Sequence, residues 1–131
     1  MDASQQKTIV VVEDDEQITR LLLLQLESAG YDVHTESSGR PALEYLLDHQ
    51  PSLVILDLRL PDLDGYEICR ELRKVYHSWI VPVMMLTGLG RPADQLRGYA
   101  CGADAYLTKP FTQEELFETI ALLLGETTAP A

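Results

Sequence analysis

Basic residues are scarce. Ten lysines and arginines stand against 21 aspartates and glutamates in 131 residues, a formal net charge of −11. A nucleic-acid contact needs a basic stripe to displace counterions from phosphate, so direct DNA or RNA binding is not expected. The acid excess favours solubility and local cation binding instead. Cysteine is nearly absent: Cys69 and Cys101 lie far apart in no metal or redox spacing, which excludes a disulfide scaffold and fits a reducing compartment. Long apolar runs are missing too. Residues 21–24 are four leucines, where a membrane helix needs about 18 apolar residues. No secretory h-region opens the chain, so a cytoplasmic protein without a membrane partner is expected. A chain of this length buries about two thirds of the surface its unfolded form exposes. One domain is the expectation: residues 7–124, after a frayed polar 1–6 and before 125–131, "GETTAPA", a tail or the start of a linker.

Short apolar runs alternate with helical patterns. The runs at 7–12, 32–36, 53–58, 81–87 and 103–107 are short and rich in Val, Ile and Leu, which predicts strands. Helices are predicted near 16–28, 40–49, 66–76, 93–101 and 113–124. Gly30, Gly102 and Gly125 sit where helices should stop, and Thr112 with Glu115 reads as a capping box. The alternation predicts an α/β fold, doubly wound, with a parallel sheet covered by helices on both faces. The runs "IVVV", "LVIL" and "VPVMML" are apolar throughout, as strands covered on both faces require; "DVHTE" suits an edge. Ligands of such sheets bind beyond the carboxyl ends of the strands, where the strand order reverses.

Those ends carry an odd set of residues. "IVVVEDDEQ" runs a buried strand into four consecutive acids, Glu13 to Glu16. At ~4 Å and an effective dielectric of ~20, each like-charged pair costs roughly 4 kcal/mol. The dipole of the following helix stabilises acids in its first turn by about 0.3–1 kcal/mol each, which accounts most easily for Asp15 and Glu16. It does not account for Asp57, a third carboxylate arriving inside "LVILDLRL" between Leu56 and Leu58. An ionised buried carboxylate is paired, hydrogen-bonded or bound to metal, and its bland alternative is a cap on the next turn. A hard divalent cation such as Mg²⁺ takes carboxylate oxygens with phosphate and water, and would let these acids coexist. Thr87, Gly88 and Lys109 end the fourth and fifth strands. Each alone reads as a turn or surface residue. Together with a cation they suggest phosphoryl transfer, in which positioning and charge neutralisation dominate. Lys109 would hold one phosphoryl oxygen, and Thr87 would donate to another with the Gly88 N–H nearby.

The segments "VVEDDE", "ILDLRLPDLDGYE", "VMMLTG" and "AYLTKPF" resemble the signature of response-regulator receiver domains of two-component signalling, in order and spacing, from about residue 7 to 124. The resemblance implies a CheY-like (βα)5 domain of flavodoxin-like architecture, with strand order 2-1-3-4-5. It implies a signalling switch that assists only its own phosphorylation and dephosphorylation, not an enzyme of metabolism. A histidine kinase or histidine phosphotransfer protein would supply the phosphoryl group, and Asp57 would accept it. Mg²⁺ would be held by Asp14, Asp57 and the Arg59 backbone carbonyl, with Glu13 acting through water. Thr87 and Lys109 would hold phosphoryl oxygens, and Lys109–Pro110 would be cis. Tyr106 would be the switch aromatic, where the residues alone suggest a half-exposed strand tyrosine. The face built from the fourth helix, fifth strand and fifth helix would then alter binding to an effector protein or domain. Ala105 and Thr119 stand where the winged-helix branch of the family usually carries a charged pair, so that dimer mode is not expected. Leu89, two residues beyond Thr87, is expected to screen the phosphoryl group from water.

Three rivals remain at this point. A flavin module would need a phosphate cradle where "EDDEQ" stands. A metal-dependent aspartyl phosphatase would usually carry an acid where Arg59 stands. A receiver-like module that is never phosphorylated would have no need of the full acid, Thr and Lys set. The four leucines of the first helix sweep around its axis: Ile18, Leu22 and Leu26 can face the core, whereas Leu23 or Leu24 is covered by the fifth helix or is a docking patch. His34, His49 and His77 are expected at solvent or helix ends.

Overall fold

The computed structural model describes residues 6–126; the N-terminal 1–5 and the C-terminal 127–131, where the expected frayed end and most of the expected tail fall, lie outside the described residues. Five strands alternate with five helices: β1 Thr8–Val12, α1 Glu16–Ser28, β2 Asp32–Glu36, α2 Gly39–Asp48, β3 Leu53–Leu56, α3 Gly65–Arg73, β4 Val83–Thr87, α4 Pro92–Ala100, β5 Ala105–Thr108 and α5 Gln113–Leu124. All strand pairs are parallel, in the order β2-β1-β3-β4-β5. The predicted fold and strand order are therefore the observed ones.

Successive strand side chains point to opposite faces, and the core divides accordingly. Val10, Val12, Val54, Leu56, Val83 and Met85 pack with Ala42, Leu46, Ile68 and Leu72 of α2 and α3. Ile9, Val11, Leu53, Ile55, Met84 and Leu86 pack with Leu22, Leu26, Leu116 and Ile120 of α1 and α5. In β1, β3 and β4 this leaves no strand residue facing water, apart from the first of β1. The apolar runs are explained by two covered faces.

Strand limits differ from expectation for local reasons. Pro82 has no N–H for a ladder; its carbonyl accepts from Val54 N–H at 3.0 Å, and β4 starts only at Val83. β3 stops at Leu56, so Asp57 lies just past the strand, although its N–H still donates to the Val12 carbonyl at 2.9 Å. The capping box on α5 is present, with Thr112 Oγ1 accepting from Glu115 N–H and Glu115 Oε1 from Thr112 N–H. Gly125 closes the same helix at φ 69°, a left-handed conformation natural to glycine. Glu126 beyond it accepts from Tyr31 Oη at 2.7 Å and pairs with Lys7 at 3.1 Å.

A guanidinium braces the side of the sheet away from β2. Arg73 of α3 donates to the carbonyls of Val81 (2.7 Å) and Gly102 (2.8 Å) and to Asp104 Oδ2 (2.7 Å), which also accepts from Val83 N–H at 2.8 Å. Arg73→Met leaves Asp104 without its cation and takes a donor from the three carbonyls of Tyr76, Val81 and Gly102. The expected cost is roughly 2–3 kcal/mol, read as a lower urea midpoint with unchanged m-value. A midpoint within experimental scatter of wild type would show that the brace contributes nothing net.

Candidate functional site

Parallel strands bring their carboxyl ends to one rim. β1 delivers Glu13, whose N–H donates to the Glu36 carbonyl of β2 at 3.0 Å. β3 delivers Asp57, β4 Thr87 and β5 Lys109, and the Lys109 N–H donates to the Thr87 carbonyl at 2.8 Å. Glu13, Asp14, Asp57, Arg59, Thr87, Gly88 and Lys109 line one open cleft. All the predicted site residues except Tyr106 are thus brought together.

The Lys109 Nζ donates to Glu13 Oε1 at 2.6 Å and to Asp57 Oδ2 at 3.1 Å. Glu13 and Asp57 are buried while Asp14 is exposed, and one oxygen from each of the three lies within 4.8 Å of the others. Three carboxyl groups therefore converge where one ammonium is bonded to two of them. Burial pushes the Glu13 carboxyl up to about 7, against the hydrogen bonds from Lys109 and the Asp15 N–H and with added repulsion from Asp57. Burial opposes the charge on Lys109, but hydrogen bonds to Glu13 and Asp57 outweigh it and raise its pKa. Asp15, by contrast, caps α1, accepting from Gln17 N–H at 2.9 Å and Ile18 N–H at 3.4 Å. Glu16 lies in that helix's first turn. Asp15 also lines the cleft, so the four-acid run grades from Glu13 and Asp14 in the carboxyl cluster to Asp15 and Glu16 at the helix start. The donor set is all hard oxygen and in excess of the available positive charge, which fits a small divalent cation better than a second lysine.

Asp57 Oδ1 accepts from the Arg59 N–H at 3.3 Å, and the Arg59 side chain points into solvent. Thr87 is fully buried, and its Oγ1 accepts from Leu89 N–H at 3.4 Å, while Gly88 is exposed. Lys109–Pro110 is cis. Leu89, expected over the cleft, packs half-buried against the core on the α2–α3 face. Tyr106 stands apart from the cleft. Its Oη donates to the Leu89 carbonyl at 2.5 Å, and its ring lies so close to α4 that a Cβ on Gly98 would stand 3.1 Å from it. Burial first, then neighbouring Tyr66 and Asp94, raises the Tyr106 phenol.

Sequence reasoning missed several groups. Tyr66 Oη donates to the Asp94 carbonyl at 3.2 Å, beneath the Arg97 guanidinium 4.1 Å from its ring. Asp62 reaches the start of α2. His34 is neither at a helix end nor free in solvent: its ring stacks on Tyr45 at 3.6 Å, which stacks on His49 at 4.1 Å. Of these pairings only Tyr45–His49, four residues apart at the end of α2, has a spacing signature in one sequence. On α1, Leu22 and Leu26 are buried as predicted and Leu23 is half-covered, but Leu24 stands 68% exposed.

The raised Glu13 carboxyl makes a signed prediction. Between pH 4.5 and about 7 the folded chain keeps a proton that the unfolded chain has released. Stability from this group therefore falls as pH rises through that window and levels off above it. In chelated, metal-free buffer, Glu13→Gln should gain on wild type in melting temperature from pH 5 to pH 7.5. A pH-independent difference would contradict the assignment.

The comparisons agree with this geometry. The sequence model of the response regulator receiver domain matches residues 9–121. The chain is 41% identical over 119 residues to the DNA-binding dual master transcriptional regulator RpaA of Synechocystis, covering 91% of this chain and 49% of that protein. It thus spans about half the length of such curated relatives. Among solved structures, a putative response regulator from Chloroflexus aurantiacus superposes with a TM-score of 0.85 at 34% identity, covering 93% of this chain and all of that one. The receiver domain of sensor histidine kinase PA1611 from Pseudomonas aeruginosa gives 0.84 at 30% identity, covering 92% and 99%; that structure has a magnesium ion coordinated in its active-site cleft. With a matched family model, an acid-lined cleft and a receiver fold all in one chain, this protein belongs to the response regulator receiver domain family of two-component signalling.

Proposed function

We propose that the chain is a phosphoryl-accepting switch in which Asp57 takes a phosphoryl group from the phosphohistidine of a histidine kinase or histidine phosphotransfer protein. One Asp57 oxygen attacks phosphorus; the P–N bond breaks, the imidazole leaves and takes up a proton, and an acyl phosphate forms on Asp57. The observation that carries this reading is the Lys109 ammonium bonded to both Glu13 and Asp57 beside a fully buried Thr87. An ammonium that already bonds the acceptor carboxylate is placed to follow the charge as it moves onto phosphoryl oxygens.

Asp14, Asp57 and the Arg59 carbonyl would hold Mg²⁺, with Glu13 behind them. When bound, that ion neutralises phosphoryl oxygens and orients them for in-line transfer. Thr87 Oγ1 and the exposed Gly88 N–H donate to the remaining oxygens. Thr87 then gives up the Leu89 N–H, and the Tyr106–Leu89 bond carries the change to the face of α4, β5 and α5. That face alters binding to a downstream effector protein or domain. The chain's own catalysis is limited to its phosphorylation and dephosphorylation. The acid excess, with no helix among the described residues able to cross a membrane, supports a cytoplasmic domain that does not itself contact nucleic acid.

The test is intact mass after incubation with Mg²⁺ and an acyl-phosphate donor. Wild type should gain one phosphoryl group and Asp57→Asn none; labelling of both would place the acceptor elsewhere. The exposed Leu24 on α1, with Leu21 beside it at 41% exposure, supplies an apolar contact for the donor protein. Leu24→Ser should slow transfer from a cognate kinase roughly tenfold, equivalent to the ~1.4 kcal/mol of one truncated contact, and spare the small-molecule donor. Equal slowing of both would indicate damage to the core instead.

A further inference from the structure

The segment between β3 and α3, residues 57–64, carries Asp57 and Arg59 yet belongs to no strand or helix. What holds it comes largely from α2. The side chain of Ser38, the N-cap of α2, makes no capping bond, and the first turn of that helix has no acid. Its orphan N–H groups are met instead by Asp62, 23 residues along the chain from Gly39. Asp62 Oδ1 accepts from Gly39 N–H at 2.6 Å and Oδ2 from Arg40 N–H at 2.9 Å. Those bonds, from Arg40 first and then Gly39, hold the Asp62 carboxyl below its usual range.

Two glycines let the segment close down. A Cβ on Gly39 would stand 2.8 Å from the Leu63 Cβ, and one on Gly65 2.5 Å from the Asp57 carbonyl oxygen. Gly65 N–H donates back to the Leu58 carbonyl at 3.0 Å, and Asp64 caps α3 by accepting from Glu67 N–H at 2.9 Å. The segment is thus fastened at its far end by α3, at its near end by the Asp57 N–H bond to β1, and in between by Asp62 on α2. A carboxylate that caps α2 in this way contributes the modest stability of any helix N-cap. Its further consequence is geometric, because Arg59 lies between the fastened points.

We propose that Asp62 is a positioning residue for the cation site: its two bonds to the start of α2 fix the 57–64 segment so that the Arg59 carbonyl stays in register with Asp57, Asp14 and Glu13. This rests on the reading of Asp57 and Arg59 given above. Loss of an outer partner that orients a metal ligand typically weakens metal affinity by 10–100-fold. The lower end is expected here, because Arg59 is held indirectly.

The test is a Mg²⁺ titration followed by the amide NMR shifts of Asp57 and Arg59. Asp62→Ala should raise the midpoint about tenfold, and Asp62→Asn, which keeps one acceptor oxygen, should fall between. A second variant separates positioning from simple helix capping. Adding Ser38→Asp to Asp62→Ala supplies α2 with its own N-cap but no tie to the segment. It should recover thermal stability and leave the Mg²⁺ midpoint raised. An unchanged midpoint in Asp62→Ala, or its recovery in the double variant, would overturn the proposal. A wild type whose Asp57 and Arg59 amides do not respond to Mg²⁺ overturns the reading of the site itself and this inference with it.

Discussion

The structure turns on one ammonium shared by two carboxylates. Lys109 bonds Glu13 and Asp57 from a third strand end, and without it two buried acids would face each other in a medium far less polarisable than water. The compensation is incomplete, since Asp14 adds a third carboxyl within 4.8 Å. Burial, with repulsion from Asp57 added to it, pushes the Glu13 carboxyl up to about 7. Fold and site are linked through this incomplete compensation. Only a parallel sheet delivers the carboxyl ends of β1, β3, β4 and β5 to one rim without long loops, and only covered faces make that rim dry enough for a single charge to matter.

The covered faces were the most legible part of the sequence. A continuous apolar run does not by its periodicity distinguish strand from buried helix, but four to six residues rich in Val and Ile between helical patterns favour a strand covered on both faces. The acids at its end could then be placed without knowing any distance. Asp57 was legible because it interrupts an apolar run, and Thr87 and Lys109 because they end theirs. The capping box on α5 was legible because both partners are side chains at fixed spacing. What escaped are interactions in which one partner is backbone or the partners are remote in sequence. Asp62 bonds amides, which every residue has, so nothing at Gly39 or Arg40 announces it. The His34–Tyr45–His49 stack needs β2 and α2 laid side by side before it can be seen. Pro82 could have shortened the predicted β4, because the missing N–H is visible in the sequence; the apolar pattern on both sides of it outweighed that signal.

The neighbouring helices α3 and α4 differ in how firmly they are tied. α3 buries five residues and carries caps and the Arg73 brace. α4 buries only Gly98, its N-cap Arg91 makes no side-chain capping bond and pairs, from an exposed position, with Asp94 at 3.3 Å, and Leu96 and Tyr99 stand exposed. Elements with few buried apolar contacts and few side-chain bonds are those that move at low free-energy cost. On the reading proposed above, a signal made at Asp57 reaches α4 through Thr87, Leu89 and Tyr106.

This contrast gives the glycine at position 98 a role in the energetics. The Tyr106 ring lies against the α4 backbone because no Cβ intervenes, and Met85 Sδ would stand 2.9 Å from such a Cβ. Glycine inside a helix costs roughly 1 kcal/mol relative to alanine. α4 therefore carries a penalty in its own stability in exchange for close contact with the ring and the core. α4 is held by the Tyr106 ring and by Tyr66, whose Oη donates to the Asp94 carbonyl and whose ring lies under Arg97; on the reading proposed above, a helix so weakened responds to where the Tyr106 ring sits. Its position depends on the Leu89 carbonyl, which depends on the Thr87 turn at the rim of the acid cleft. On that reading, the residue that loosens α4 also makes its contact with Tyr106 sensitive to the site.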